Sequence, residues 1–364
     1  MYYKQYGNTD MKVSAIGMGC MRYDDELINA GNLDACSEVA LYAHEKGINY
    51  FDTAPFYCQD KSEIITGMAL SQLKRDSFYV SSKMNLGTVD GVATKDAFYK
   101  RLHTTLDRLK VDYLDVYHLW CLLSPESYEK QSELLYGYFE DAKREGLVKN
   151  IAFSSHMEGG DLSPIINSDK FKAMLIGYNA INYRFRQAGI LDAHNKGMGV
   201  VVMNPLGGGA IPQNPSMFEY LAEGTDLTVP QAALRFVASH KEITITLAGM
   251  TKKEHVDDAV KAVEGLEEFS ANDIYKKYEN SHLSLNNLCT GCGYCKKCPM
   301  GIDIPKFMDT YNQKLFGDNM DDRMQNHWHI TKEEAAKCIA CGKCESLCTQ
   351  HLPIIDRLAE IANM

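Results

Sequence analysis

Gly47-Ile48-Asn49-Tyr50-Phe51-Asp52-Thr53-Ala54-Pro55-Phe56-Tyr57 is the stretch that decides how this chain is read. Its first half is a short apolar and aromatic run, the composition of a buried strand. Its second half sets an Asp and then a Tyr at the carboxyl end of that strand. In a parallel α/β sheet or barrel this is the end where ligands bind. A carboxylate is costly to bury alone, so Asp52 calls for a cation. Phe78-Tyr79-Val80-Ser81-Ser82-Lys83 supplies Lys83 at the end of another strand-like run. A cation beside a phenol stabilises the phenolate and lowers its pKa. Tyr57 then becomes a usable proton donor near neutral pH.

Outward from this stretch, strand-like and helix-like segments alternate over the first 280 or so residues. Strands are expected at Val13–Met18, Ile48–Asp52, Phe78–Ser82, Tyr113–Trp120, Asn150–Ser154, Met174–Tyr178, Val200–Met203 and Ile243–Ala248. Helices are expected at Leu33–Lys46, Ser62–Leu73, Thr94–Leu109, Tyr128–Glu145, Ile190–Lys196, Val229–His240 and Lys252–Val263. Alternation on this scale means parallel strands joined by helical crossovers. Eight such strands fit an α/β fold of the closed (β/α)8 TIM-barrel type, which takes roughly 250 residues. An open dinucleotide-binding sheet is the rival, but no Gly-x-Gly-x-x-Gly sits in a first strand–helix turn. Gly207-Gly208-Gly209 follows the seventh strand, a position that lines a phosphate site in a barrel.

Asp-Thr-Ala-x-x-Tyr followed by a strand-end Lys resembles the active site of the aldo/keto reductases, and the resemblance covers nearly the whole chain. Asp52, Tyr57 and Lys83 match three of the four family residues. The resemblance implies a hairpin before Val13 that caps the barrel, NAD(P)H as hydride source, and a small carbonyl or alcohol substrate. The fourth family residue, a His near the end of the fourth strand, aligns with Trp120, and His118 lies two residues earlier on the same face. Either His118 reaches the substrate carbonyl, or Trp120 walls the pocket and Tyr57 works without a His. Cofactor contacts are expected at Ser154, Ser155, Asn204, Leu206, Gly207, Gly249, Thr251 and Lys252. Several depart from the family pattern: Ser155 stands where an Asn is usual, Leu175 or Gly177 where a Gln is usual, and Thr251 at the basic position that grips a 2′-phosphate. A hydrogen bond to a charged group is worth roughly 1.5–3 kcal/mol, so the Thr251 change weakens NADP affinity unless Lys252 or Lys253 compensates.

The chain has 12 cysteines, and eight of them fall in two runs. One is Cys289-x-x-Cys292-x-x-Cys295-x-x-Cys298-Pro299, the other Cys338-x-x-Cys341-x-x-Cys344-x-x-x-Cys348. Thiolates so spaced bind 4Fe–4S clusters, with the fourth Cys of each run ligating the other cluster. The expected sets are Cys289, Cys292, Cys295 and Cys348 for one, and Cys338, Cys341, Cys344 and Cys298 for the second. Zinc is the competing metal for four-cysteine sites. The arrangement resembles the ferredoxin-type domain fused to a subgroup of aldo/keto reductases in anaerobic microbes. The expected organisation is a barrel over 1–280 and a small helical domain with two 4Fe–4S clusters over 281–364, joined by the short linker Ser281–Leu288. Cys20, Cys36, Cys58 and Cys121 read as packed side chains, and His327, His329 and His351 as loop residues.

A hydrophobic fraction of 45% and a charged fraction of 24% suit a globular protein. The formal net charge of −10 argues against nucleic acid or an anionic membrane as the main partner. The amino terminus lacks an apolar signal core and no apolar run reaches transmembrane length, so a cytoplasmic protein is expected. Three functions fit: a carbonyl–alcohol oxidoreductase using NAD(P)H; an electron-transfer enzyme whose clusters feed a flavin or the substrate directly; and a ferredoxin-like partner protein with the barrel as scaffold. The Asp52, Tyr57 and Lys83 set argues against the third. A ferredoxin or other redox protein is the expected macromolecular partner.

Overall fold

A computed structural model describes residues 1–89, 91–278, 288–317 and 319–364. Apart from Leu288, the expected linker lies outside these residues. Two compact units are resolved, one comprising Met1–Leu206 with Pro215–Ser281 and the other Gly207–Asn214 with His282–Met364.

The first unit opens with an antiparallel hairpin of β1 (Tyr3–Gln5) and β2 (Lys12–Ser14). Eight parallel strands then close a barrel: β3 (Ile16–Gly19), β4 (Tyr50–Asp52), β5 (Tyr79–Met84), β6 (Leu114–Leu122), β7 (Val148–Ser155), β8 (Ala173–Gly177), β9 (Gly199–Met203) and β10 (Ile245–Ala248). β10 pairs with β3 and closes the ring. The expected strand Val13–Met18 is therefore two strands. Lys12–Ser14 pairs backwards with β1, whereas Ile16–Gly19 pairs in parallel with β4 and β10. The break falls at Ser14 and Ala15, where Ser14 Oγ donates to the Ile16 carbonyl (2.6 Å) and Ser14 N to Asn49 Oδ1 (2.7 Å).

Side chains alternate across each strand, and the inward set forms a dry core with Tyr50, Val116, Ala152, Leu175, Val201 and Ile245 all at most 1% exposed. Tyr6 and Val13 of the hairpin join this core, and Tyr6 packs against Gly199 at the start of β9. The hairpin thus plugs the amino-terminal end of the barrel. Buried Lys4 fastens it by donating to the carbonyls of Ala238, His240 and Ile243 at 2.8–3.0 Å. It also pairs with Glu268 at 2.8 Å. The opposite, carboxyl-terminal end carries Asp52 at the end of β4 and Lys83 near the end of β5.

Crossover helices start at side-chain caps, among them Asn32, Thr94, Ser124 and Thr228, whose oxygens accept from otherwise orphaned amides. The helix expected from Ile190 begins earlier, at Tyr183.

The second unit packs Ile304–Leu315 and Ile354–Ala362 around a core that includes Phe307, Met308, Leu358 and Ile361. Cys289, Cys295, Cys298, Cys338, Cys344 and Cys348 lie against this core. Among the described residues no helix is long and apolar enough to cross a membrane.

Candidate functional site

β4 ends at Asp52, which pairs in register with Ser81 of β5, and Lys83 two residues on pairs with His118 of β6. Ser81 and Lys83 share the inward face by strand alternation. Asp52 is 5% and Lys83 1% exposed. Their charges meet inside the barrel, with Lys83 Nζ 2.5 Å from Asp52 Oδ2. The remaining valences are filled: Lys83 Nζ donates to the Thr53 carbonyl (2.7 Å), and Ser81 Oγ donates to Asp52 Oδ1 (2.6 Å). A buried pair survives only when such bonds satisfy the atoms the pair leaves over. Ser81 escaped the sequence reading, although its spacing of two from Lys83 was the signal that it faces the same way.

Tyr57 is half-buried just past the strand. The backbone around it is unusual: Phe56, Cys58, Gln59 and Asp60 all have positive φ, between 51° and 68°. Non-glycine residues held there cost of order 1–3 kcal/mol each, and such strain gathers at functional sites. Asp60 anchors the turn. It accepts two 2.8 Å bonds from Arg108 and one from the Phe56 amide (3.2 Å), and the Arg108 guanidinium holds its carboxyl below the usual range. The turn presents the Tyr57 ring edge-on to Trp120, with centroids 5.6 Å apart, and 5.1 Å from Lys83 Nζ. Cys58 turns away, its thiol pointing at the Cys20 and Met21 carbonyls, and burial pushes its pKa up.

The two readings of the fourth strand separate here. Trp120 is the β6 residue against Tyr57. His118 is fully buried one layer below, with Nε2 3.9 Å from Asp52 Oδ1, and among the described residues neither ring nitrogen has a partner at ordinary hydrogen-bond geometry. Burial pushes its pKa down to about 4, against the pull of Asp52, so the ring is neutral at neutral pH. Past Trp120 the strand bulges, with a register shift between Leu119 and Leu122 and Cys121 at φ 61°.

The expected cofactor residues Ser154, Asn204 and Gly249 stand at or just past the carboxyl ends of β7, β9 and β10. Leu206 and Gly207 follow Asn204, whose carbonyl accepts from Asn179 Nδ2 (2.9 Å). The Ser155 hydroxyl is already engaged, donating to the Leu122 carbonyl and accepting from the Met157 amide, each at 3.0 Å. Thr251 is engaged with His255 through its amide and hydroxyl. Leu175 is core, and the Gly177 carbonyl accepts from buried Arg186 (2.9 Å). Lys252 is exposed at the cap of the helix Lys253–Ala262. Gly208, at φ 71°, has a packing reason of its own, because a Cβ there would lie 1.9 Å from the Thr290 carbonyl oxygen.

In the second unit the cysteines frame two cavities. Cys289, Cys292, Cys295 and Cys348 line one. Cys298, Cys338, Cys341 and Cys344 line the other, with Cys295 also touching it. One cysteine of each run thus crosses to the other run's cavity. Among the described residues no three Cys, His, Asp or Glu side chains converge on one metal ion. A zinc site needs its sulfurs about 2.3 Å from a single point, whereas a cubane holds its thiolates apart. Four or more thiols about each cavity are a donor set that a 4Fe–4S cluster takes. The first cavity is braced: Asn312 clamps the backbone of Cys289 through two 2.9 Å bonds, and the Gly291 and Leu352 amides point at the sulfurs of Cys289 and Cys348, each at 3.4 Å. Hydrogen bonds to ligand sulfurs tune cluster potential.

Comparison with known proteins finds two family matches along the chain. Residues 15–278 match the profile of the aldo/keto reductase family, and residues 288–353 that of a 4Fe-4S dicluster domain. The uncharacterized oxidoreductase YqkF of Bacillus subtilis is 23% identical over 317 residues, 76% of this chain and 99% of that protein. The NADH-specific methylglyoxal reductase of Escherichia coli is 23% identical over 301 residues, 71% of this chain and 92% of that one. The L-galactose dehydrogenase of Arabidopsis thaliana is 25% identical over 284 residues, 72% and 88%. Among solved structures, the holo form of an aldo-keto reductase from Bacillus halodurans superposes with a TM-score of 0.63 at 21% identity, covering 78% of this chain and 97% of that one.

Proposed function

The chain belongs to the aldo/keto reductase family and is an oxidoreductase with a 4Fe-4S domain, and from that premise we propose that its barrel interconverts a small carbonyl compound and the corresponding alcohol, with Tyr57 as the proton donor. The observation that carries this reading is the buried Lys83–Asp52 pair with its ammonium 5.1 Å from the Tyr57 ring. When bound, a nicotinamide dinucleotide supplies a hydride to the carbonyl carbon. The protein's own part is the proton. Tyr57 gives its hydroxyl proton to the carbonyl oxygen, and the Lys83 cation stabilises the phenolate left behind. Asp52 holds the ammonium in place, and Ser81 holds Asp52. Trp120 walls the pocket, and His118 packs beneath Asp52 rather than touching substrate. The names of two relatives, a methylglyoxal reductase and an L-galactose dehydrogenase, fit this carbonyl–alcohol class.

The cysteines are assigned to two 4Fe–4S clusters, one held by Cys289, Cys292, Cys295 and Cys348, the other by Cys298, Cys338, Cys341 and Cys344. When bound, these clusters exchange single electrons.

A second reading, in which the clusters feed a flavin or the substrate without nicotinamide, is favoured by Ser155, Leu175 and Thr251, none of which offers an uncommitted polar arm to a dinucleotide. The absorbance of anaerobically purified protein decides about flavin, which adds bands a cluster lacks. The main reading is tested with Tyr57→Phe under NAD(P)H and a panel of aldehydes and ketones. Loss of a general acid costs roughly 10²–10⁴-fold in turnover. Unchanged turnover in folded protein overturns the assignment.

A further inference from the structure

The second cysteine cavity opens on an apolar surface. Met300, Ile339 and Leu347 line it and are 41%, 59% and 42% exposed. Cys341, on the same cavity, is the one exposed cysteine among the described residues. Met308, Leu352 and Ile354, each at most 2% exposed, wall most of the apolar side of the first cavity, which Leu347 also reaches; Met300 and Ile339 belong to the second alone. Large apolar side chains left together in water mark an interaction surface.

The two cysteine segments that supply most of this patch carry charge opposite to that of the chain, while Asp303 and Asp356 flank its other lining residues Ile304 and Ile355. Segments 294–300 and 336–347 carry the exposed cations Lys296, Lys297, Lys337 and Lys343. Their single carboxylate, Glu345, is turned to the backbone, where its Oε1 accepts from the Ile355 amide (2.9 Å). A basic rim about an apolar centre thus sits on a protein of net charge −10. Interfaces bury an apolar core inside a charged rim, and complementary charge steers the encounter. Brief electron-transfer encounters use small interfaces, below about 1,200 Å², and three apolar side chains suit that size.

We propose that this face is the docking surface for a small acidic ferredoxin-type carrier protein, which exchanges single electrons with the centre held by Cys298, Cys338, Cys341 and Cys344. The inference rests on the two-cluster reading above. In each exchange one electron leaves the reduced carrier, which is oxidised, and enters that centre, which is reduced. No bond or proton moves.

The test uses the full-length holoprotein purified without oxygen, with iron measured first. About eight irons per chain are expected, and a zinc-filled protein ends the two-cluster reading before docking is examined. The probe is a purified acidic ferredoxin, with a basic cytochrome c as control, and the readouts are calorimetric affinity and stopped-flow association at low and high salt. The ferredoxin should bind, and salt should weaken it. Lys337→Glu with Lys343→Glu should slow association at least about tenfold, and Ile339→Ser should weaken affinity, with iron content and circular dichroism unchanged. Equal binding by wild type and variants, equal binding of the cytochrome, or a shift in cluster potential without a change in binding overturns the proposal. So does sedimentation of the wild type as a dimer that Ile339→Ser dissociates, which gives this face to a second copy.

Discussion

Replacing Lys83 by Met separates two jobs that the wild-type structure combines. Lys83 neutralises Asp52 at 2.5 Å inside the barrel, and its cation faces the Tyr57 ring. Removing one partner of a buried pair typically costs about 3–5 kcal/mol, because the other charge stays buried alone. Here Asp52 keeps the 2.6 Å bond from Ser81, and such a bond to a charged group is worth roughly 1.5–3 kcal/mol. The loss should therefore lie near the lower end, about 3 kcal/mol. Adding Asp52→Asn removes the stranded charge, and the double variant should regain most of the stability. Activity should not follow: single and double variants both lose the cation beside Tyr57, and both should fall by roughly 10²–10⁴-fold. In a Trp328→Phe background Trp120 is the remaining tryptophan, so its fluorescence during urea unfolding follows the barrel alone, and turnover is measured on the same samples. Recovery of activity together with stability in the double variant would refute the role given to Lys83, which would then only balance Asp52.

Other outcomes follow from the same geometry. His118→Gln should lower kcat/KM by less than the roughly 10²-fold floor for loss of a general acid, and a larger fall in steady-state assays would return His118 to the substrate. Cys298→Ser should cost the centre in the cavity shared with Cys338, Cys341 and Cys344 while sparing the other, read as about half the iron and sulfide and one surviving cluster signal in electron paramagnetic resonance. His118 and His240 are both held neutral by burial, with pKa values near 4 against an ordinary 6.5. Between those values the unfolded chain binds protons that the native one excludes. Stability should be unaffected above about pH 6.5 and fall on acidification by up to about 1.4 kcal/mol per pH unit for each His. His118→Gln should halve that slope in urea melts, and a flat profile contradicts the burial argument.

The barrel was legible because its signal is periodic: strand and helix alternate along the chain, and inward side chains such as Val116 and Leu175 fall at every second strand position. Asp52 and Lys83 were legible for a related reason, since a charge at a buried strand end demands a partner and the nearest strand offered one. What escaped depends on contacts distant in sequence or on backbone shape. The left-handed residues around Tyr57 carry no glycine to announce them, and their anchor, Arg108, lies 48 residues from Asp60. The Ser155 hydroxyl looked available for a cofactor until its bond to the Leu122 carbonyl, 33 residues away, was seen. The lining of each cavity by one cysteine of the other run follows the spacing, but the Asn312 clamp on Cys289 was not legible, because an Asn on an amphipathic helix resembles any other solvated residue. Val13–Met18 ran together as one strand because a switch of pairing partner leaves no mark in hydropathy.

The central claim, that a hydride reaches carbon while Tyr57 moves the proton, is tested most directly with nicotinamide deuterated at both C4 positions. Anaerobic enzyme, the labelled cofactor and a carbonyl substrate are mixed in ordinary water, and the alcohol is analysed by mass spectrometry. The account predicts one deuterium on the carbinol carbon of every product molecule. Alcohol formed at normal rate without that deuterium would mean that carbon took its hydrogen from solvent after separate electron transfers, and the hydride account would be wrong.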